Sequence, residues 1–198
     1  GCGIETCDVA AVLNVDDDHL GEAGIVTREQ LAAAKGLLVE IARTAVVLNA
    51  EDPLCVALAT RRRGARLLLF ALDPGAPAYA AHVAQGGEGA TVVAAPAGPT
   101  LALCRGAARD LLLPVAAVPA TREGRARHNV QNVLAAAALA HGLGIPAARI
   151  AHVLAGFRSD ARDNPGRINP CEGLPFQMLI DRCHNRHGMQ RLGEFVRE

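Results

Sequence analysis

Residues 164–188 read Asn-Pro-Gly-Arg-Ile-Asn-Pro-Cys-Glu-Gly-Leu-Pro-Phe-Gln-Met-Leu-Ile-Asp-Arg-Cys-His-Asn-Arg-His-Gly. The Gly166-Arg167 pair precedes a short apolar run, and that run ends in Asp181, followed closely by His184-Asn185. The run from Phe176 to Ile180 predicts a buried strand with Asp181 at its C-terminal end. In open α/β sheets that edge is where ligands bind. Arg167 would offer a cation for phosphate there, and Asp181 a carboxylate for ribose hydroxyls.

Upstream, strand and helix signals alternate. Asp8–Val15 predicts a buried strand that runs into an acidic loop, Asp16 to His19. Thr27 with Gln30 three residues on forms a capping box, opening a helix to about Ile41. Ala45–Asn49 predicts a second strand, closed by Glu51-Asp52-Pro53, and Pro53 suits the first turn of a short helix to about Arg62. Arg66–Leu72 predicts a third strand, while 73–89 reads as loop. Thr91–Ala95, Leu101–Arg105 and Leu111–Val118 predict meandering strands. An Ala-rich helix over Asn129–His141 stops at Gly142, Pro146 opens another to Phe157, and a last helix covers Met189–Val196. The pattern predicts an α/β domain over residues 1–163 with an inserted β-element. Residues 164–198 would then be the first strand and helix of a second domain, unable to bury both faces alone.

The bulk numbers bound the class. A chain of 198 residues builds one generous domain or one domain plus part of another. Apolar residues make up 51% and aromatics 3%, so the core must be Ala, Leu and Val. Basic and acidic residues balance at 20 each, which argues against a general nucleic-acid binder. No apolar run approaches the roughly 18–20 residues that span a bilayer, and no secretory signal is visible. Six cysteines without Cys-x-x-Cys spacing suggest reduced thiols, hence a soluble cytoplasmic protein.

Three further constellations carry chemistry. Asn14-Val-Asp-Asp-Asp-His-Leu-Gly21 sets three carboxylates and His19 at a strand end, a donor set that suits Mg²⁺ and equally a solvated acidic turn. Lys35 is the single lysine of the chain; unlike arginine it can lose its proton, although a snorkelling surface lysine explains it as well. His128-Asn129-Val130-Gln131-Asn132 heads the Ala-rich helix. Asn129 and Asn132 lie on one face at i, i+3, and an amide matches the donor and acceptor of an adenine edge. A plain helix cap explains Asn129 but not Asn132.

These motifs, in this order, resemble the Mur ligase family, and within it the cyanophycin synthetase branch. There an Asn-x-x-x-Asp-His-Leu loop is followed by a helical lysine, His-Asn-x-x-Asn-x-Leu-Ala-Ala, Asn-Pro-Gly-Arg and Asp-Tyr-Ala-His-Asn-Pro-His-Gly. The Asn49-Ala-Glu-Asp-Pro53 turn matches a further hallmark. The resemblance implies part of a central domain with a P-loop-type sheet, then the start of a Rossmann-like C-terminal domain. It implies an ATP-dependent amide ligase working through an acyl phosphate. His19 would be a metal ligand near that phosphate, and Lys35 a carbamylated lysine supporting a second Mg²⁺. Asn132 would face adenine with Asn129 supporting it; Arg167, Asp181, His184 and Asn185 would reach the nucleotide from the C-terminal side. The partners implied are ATP, Mg²⁺, an amino acid (arginine) and an aspartate-containing polymer primer, with no nucleic acid or membrane; homo-oligomerisation stays open.

The pattern also fails in places. No Gly-x-x-x-x-Gly-Lys-Ser/Thr phosphate loop occurs, and the chain opens Gly-Cys-Gly rather than with Met. The chain alone is therefore expected to be inactive, as an internal segment would be. Arg182-Cys183 stands where the family has Tyr-Ala, and Arg186 where it has Pro, which fits a catalytically inactive nucleotide-binding or scaffold copy. A zinc module from Cys171, Cys183, His184 and His187 is a further alternative, though adjacent Cys183 and His184 suit one tetrahedral ion poorly.

Overall fold

The computed structural model describes residues 3–18, 20–171 and 173–197, without the side chain of His187. His19 lies outside the described residues. Six strands form one sheet in simple sequence order: β1 (Cys7–Val12), β2 (Ala42–Asn49), β3 (Arg66–Ala71), β4 (Glu88–Ala95), β5 (Gly98–Arg105) and β6 (Ala108–Pro114). The first four are parallel, and β4–β5–β6 continue the same sheet as antiparallel hairpins. The expected β-element is thus an extension sharing β4 with the parallel part.

Alternation along the central strands sorts the helices into two layers. Val46, Leu48, Leu69 and Ala71 face α1 (Arg28–Ile41), α2 (Pro53–Ala57) and α3 (Pro77–Ala84). Ala45, Val47, Leu68 and Phe70 face α4 (Arg127–Gly142) and α5 (Ala147–Gly156). Small residues let α4 lie close to the sheet: a Cβ on Gly142 would stand 3.1 Å from that of Ala45. The last turn of α4 therefore rests where β2 begins, and its first turn reaches the edge where the parallel strands end.

The capping box forms as expected, with the Thr27 hydroxyl accepting from Gln30 N–H and the Gln30 side chain returning to the cap backbone. Residues 73–89 differ from the expected loop, because α3 forms there. Its sequence is short and Ala-rich, so tertiary packing stabilises it: Tyr79 is buried against Gly89, where any Cβ would strike its ring.

The buried strand expected at 176–180 is corrected. Only β8 (Met178–Ile180) forms, pairing antiparallel with β7 (Asn169–Cys171), and Phe176 and Ile180 stay 61% and 50% exposed. A two-stranded ribbon has no layer of its own to bury against. The final helix α6 (Arg186–Arg197) instead anchors by Phe195, packed with Ala126 and Ile168 and lying 5.9 Å from the Arg125 guanidinium. No helix among the described residues is long and apolar enough to cross a membrane, and the described cysteines are unpaired.

Candidate functional site

The Asn49–Pro53 turn laces the ends of β1, β2 and β3 together. Asn49 donates its amide to Leu13 O (2.9 Å), and Asp52 accepts from Val15 N–H (2.6 Å) while capping α2 through Leu54 N–H (2.9 Å). Glu51 accepts from Leu72 N–H (2.9 Å). From below, the Arg28 guanidinium donates to Val15 O (2.6 Å) and Lys35 Nζ to Asn14 O (2.9 Å). A loop carrying Asn14 and three aspartates is thereby held at the C-terminal edge of the sheet, where the topology favours ligands.

The first turn of α4 forms the second wall. Asn129 is buried and donates its side-chain amide to Ala120 O (2.8 Å), while Asn132 is exposed at the cleft. Asn129 is not the helix cap: Ala126 holds that position without any side-chain bond, and Asn129 sits inside the first turn. Gln131 reaches Glu51 at 3.4 Å.

The third wall is the loop from 164 to 185. Asn169 closes it on itself, accepting from Gly166 N–H (2.6 Å) and donating to the Asn164 and Arg167 carbonyls (both 3.0 Å). Asp181 accepts from Ile168 N–H (3.0 Å), and Arg182 N–H donates to Gly166 O (2.7 Å). Asn185 caps the start of α6 by accepting from Gly188 N–H (2.7 Å). These bonds turn the exposed Arg167 and half-buried Asp181 toward one hollow.

That hollow has a volume of about 580 Å³, and Asn129, Asn132, Arg167, Asp181, His184 and Asn185 all line it. A chamber of about 350 Å³ adjoins it, with Asn14, His128, Gln131 and Arg191 common to both. A recess of about 230 Å³ brings Asp16, Asp17 and Asp18 opposite Asn185 and Arg186. Lys35 lines none of the three; it holds Asn14, which lines all of them. Among the described residues no three His, Cys, Asp or Glu side chains converge as a metal site; His19 and the side chain of His187, members of the two expected sets, lie outside them.

His128 and Arg191 also line the hollow, and no motif gives either of them a role. His128 opens the His-Asn-x-x-Asn motif, whereas Arg191 lies in none, and only docking of α6 brings it in. Burial holds the His128 imidazole below its ordinary pKa of 6.5, while Asp181 pulls the other way. Burial and the same carboxylate push the Cys183 thiol up, so it stays protonated in this wall.

A loop of acids at the edge of the mixed sheet, an amide-bearing helix over it and a Gly-Arg loop closing it thus surround one hollow. The chain belongs to the Mur ligase family, whose middle-domain profile matches residues 2–140. It is similar over its whole length to cyanophycin synthetases, with 32% identity to that of Crocosphaera subtropica and 33% to that of Geminocystis herdmanii. It spans 22% of the length of those relatives. It is also 34% identical, over 76% of its length, to 29% of the UDP-N-acetylmuramoylalanine–D-glutamate ligase of Solibacter usitatus. In fold it superposes on MurF from Acinetobacter baumannii with a TM-score of 0.65, over 96% of this chain and 37% of that one, at 20% identity.

Proposed function

We propose that this chain is the adenine-nucleotide-binding portion of a carbon–nitrogen ligase that activates a carboxylate as its acyl phosphate. The more specific reading is arginine addition to aspartate side chains of a polymer primer, in a cytoplasmic enzyme. What carries the proposal is convergence: six residues named from separate motifs line one hollow of about 580 Å³. Its donors fit a nucleotide, with an amide edge at Asn132, a carboxylate at Asp181 and a guanidinium at Arg167. ATP, when bound, would supply the phosphoryl group. This chain's residues would orient it, with Asn132 on the base and Asn129 holding the α4 turn. Arg167 and Asp181, with His184 and Asn185, would close on it from the C-terminal side, and residues 164–198 are proposed to open a separate domain from 1–163. The described carboxylates form no complete metal set, so the roles of His19 and of a carbamylated Lys35 toward Mg²⁺ rest on family likeness alone.

One observation favours a second reading, a nucleotide-binding scaffold without turnover. Arg186 lines the recess of the three aspartates, and a guanidinium there competes with a cation for the same carboxylates. The deciding measurement is ADP release by the full-length gene product supplied with ATP, Mg²⁺, arginine and an aspartate-containing primer. Release that depends on both arginine and primer is the expected result. Nucleotide binding without release under any of these conditions supports the scaffold, and no binding at all removes both readings.

A further inference from the structure

The segment that carries Arg167 and Asp181 into the cleft is held by a residue outside it. Arg122 and Glu123 both take left-handed backbone conformations, φ 53° and 61°, which side chains with a Cβ rarely adopt. The turn is over-determined around them. Thr121 accepts from Gly124 N–H through its hydroxyl (3.2 Å) and from Ala126 N–H through its carbonyl (3.0 Å). This geometry sends the Arg122 side chain across to the following segment, where Nη2 donates to Ser159 O (2.8 Å) and Ile168 O (3.0 Å). Those two carbonyls flank Arg167 on either side, and both residues are buried. Ser159 adds its own hydroxyl bond to Arg167 O at 2.6 Å. Nε of Arg122 is buried and finds no acceptor among the described residues.

The strained backbone and the unsatisfied Nε both cost stability, and the two bonds of Nη2 work against that cost. The same turn offers Ala120 O to Asn129, so it brackets both walls of the hollow: the α4 wall through Asn129 and the Gly-Arg wall through Arg122. We infer that Arg122 is a positioning residue of the nucleotide cleft, setting the place of Arg167 and Asp181 relative to Asn132 by clasping the main chain at Ser159 and Ile168. This rests on the nucleotide reading above. A planar guanidinium nitrogen with two hydrogens can serve two carbonyls at once, and an ammonium on a flexible stem matches that geometry only in part.

The test uses the full-length protein with Arg122→Ala and Arg122→Lys, read in two independent ways. The first is affinity for a non-hydrolysable ATP analogue by calorimetry. Alanine is expected to weaken it about tenfold, and lysine to restore part of the loss. The second is hydrogen exchange of the Ile168 and Arg182 amides without nucleotide, expected to quicken in Arg122→Ala while the amides of β2 are unchanged. A stable Arg122→Ala protein with wild-type affinity, or with unchanged exchange at both amides, would overturn the inference. If wild-type protein binds no adenine nucleotide, the functional reading fails, and the exchange measurement still decides the clasp. Should alanine prevent folding, Arg122→Met, which keeps an apolar stem but has no donor, carries both measurements; wild-type values in each then refute the inference.

Discussion

Asn129 and Asn132 have the same chemistry and lie one helical turn apart, yet tertiary surroundings give them different work. Asn132 is exposed at the hollow, so Asn132→Ala should leave the unfolding midpoint in denaturant unchanged and weaken nucleotide affinity about tenfold, as one lost hydrogen bond does. Asn129→Ala strips the buried Ala120 O of its 2.8 Å partner and should cost about 1–3 kcal/mol of stability in the same unfolding experiment. His128 makes a third residue-scale prediction. Its folded pKa lies below 6.5, so the native state prefers the neutral ring. That contribution is complete above about pH 6.5 and declines as pH falls, because the unfolded chain takes up the proton first. His128→Gln should therefore flatten the fall of the thermal midpoint between about pH 6.5 and 5; an equally steep fall would assign the acid sensitivity elsewhere.

Elements with a local cause were legible in advance. The capping box of Thr27 and Gln30 announced α1, and Pro53 announced α2, because both act within a few residues. Helix α3 was not legible, since its stability comes from Tyr79 meeting Gly89 on a strand later in the chain. For β8 the apolar run predicted a strand correctly, but its burial depends on a second layer that the ribbon lacks. Helix α6 stands on few contacts, chiefly Phe195 with Ala126 and Ile168. Phe195→Ala should remove of order 3 kcal/mol from the docking of this helix. Amide exchange across 186–197 should quicken and nucleotide affinity should drop, with β2 exchange unaltered; a global loss of protection instead would make α6 part of the main folding unit.

At the scale of the molecule, one sheet with a helical layer on each face brings four separated motifs to a single edge. The alternation of strands and helices, the balanced charge and the order of the motifs determined the fold class, the family and the residue types of the cleft, because periodicity, capping and composition act locally. Which of those residues meet was decided by tertiary structure. Arg167, Asp181 and Asn132 share a hollow because the 164–185 loop folds back on α4. Lys35, conspicuous as the only lysine, stands behind the wall and supports Asn14 instead. Arg122 carried no motif at all; its place follows from a left-handed turn and two carbonyls distant in sequence. Residue type sets what a side chain can bond, whereas the distance and direction of its partner exist only after the chain has closed on itself.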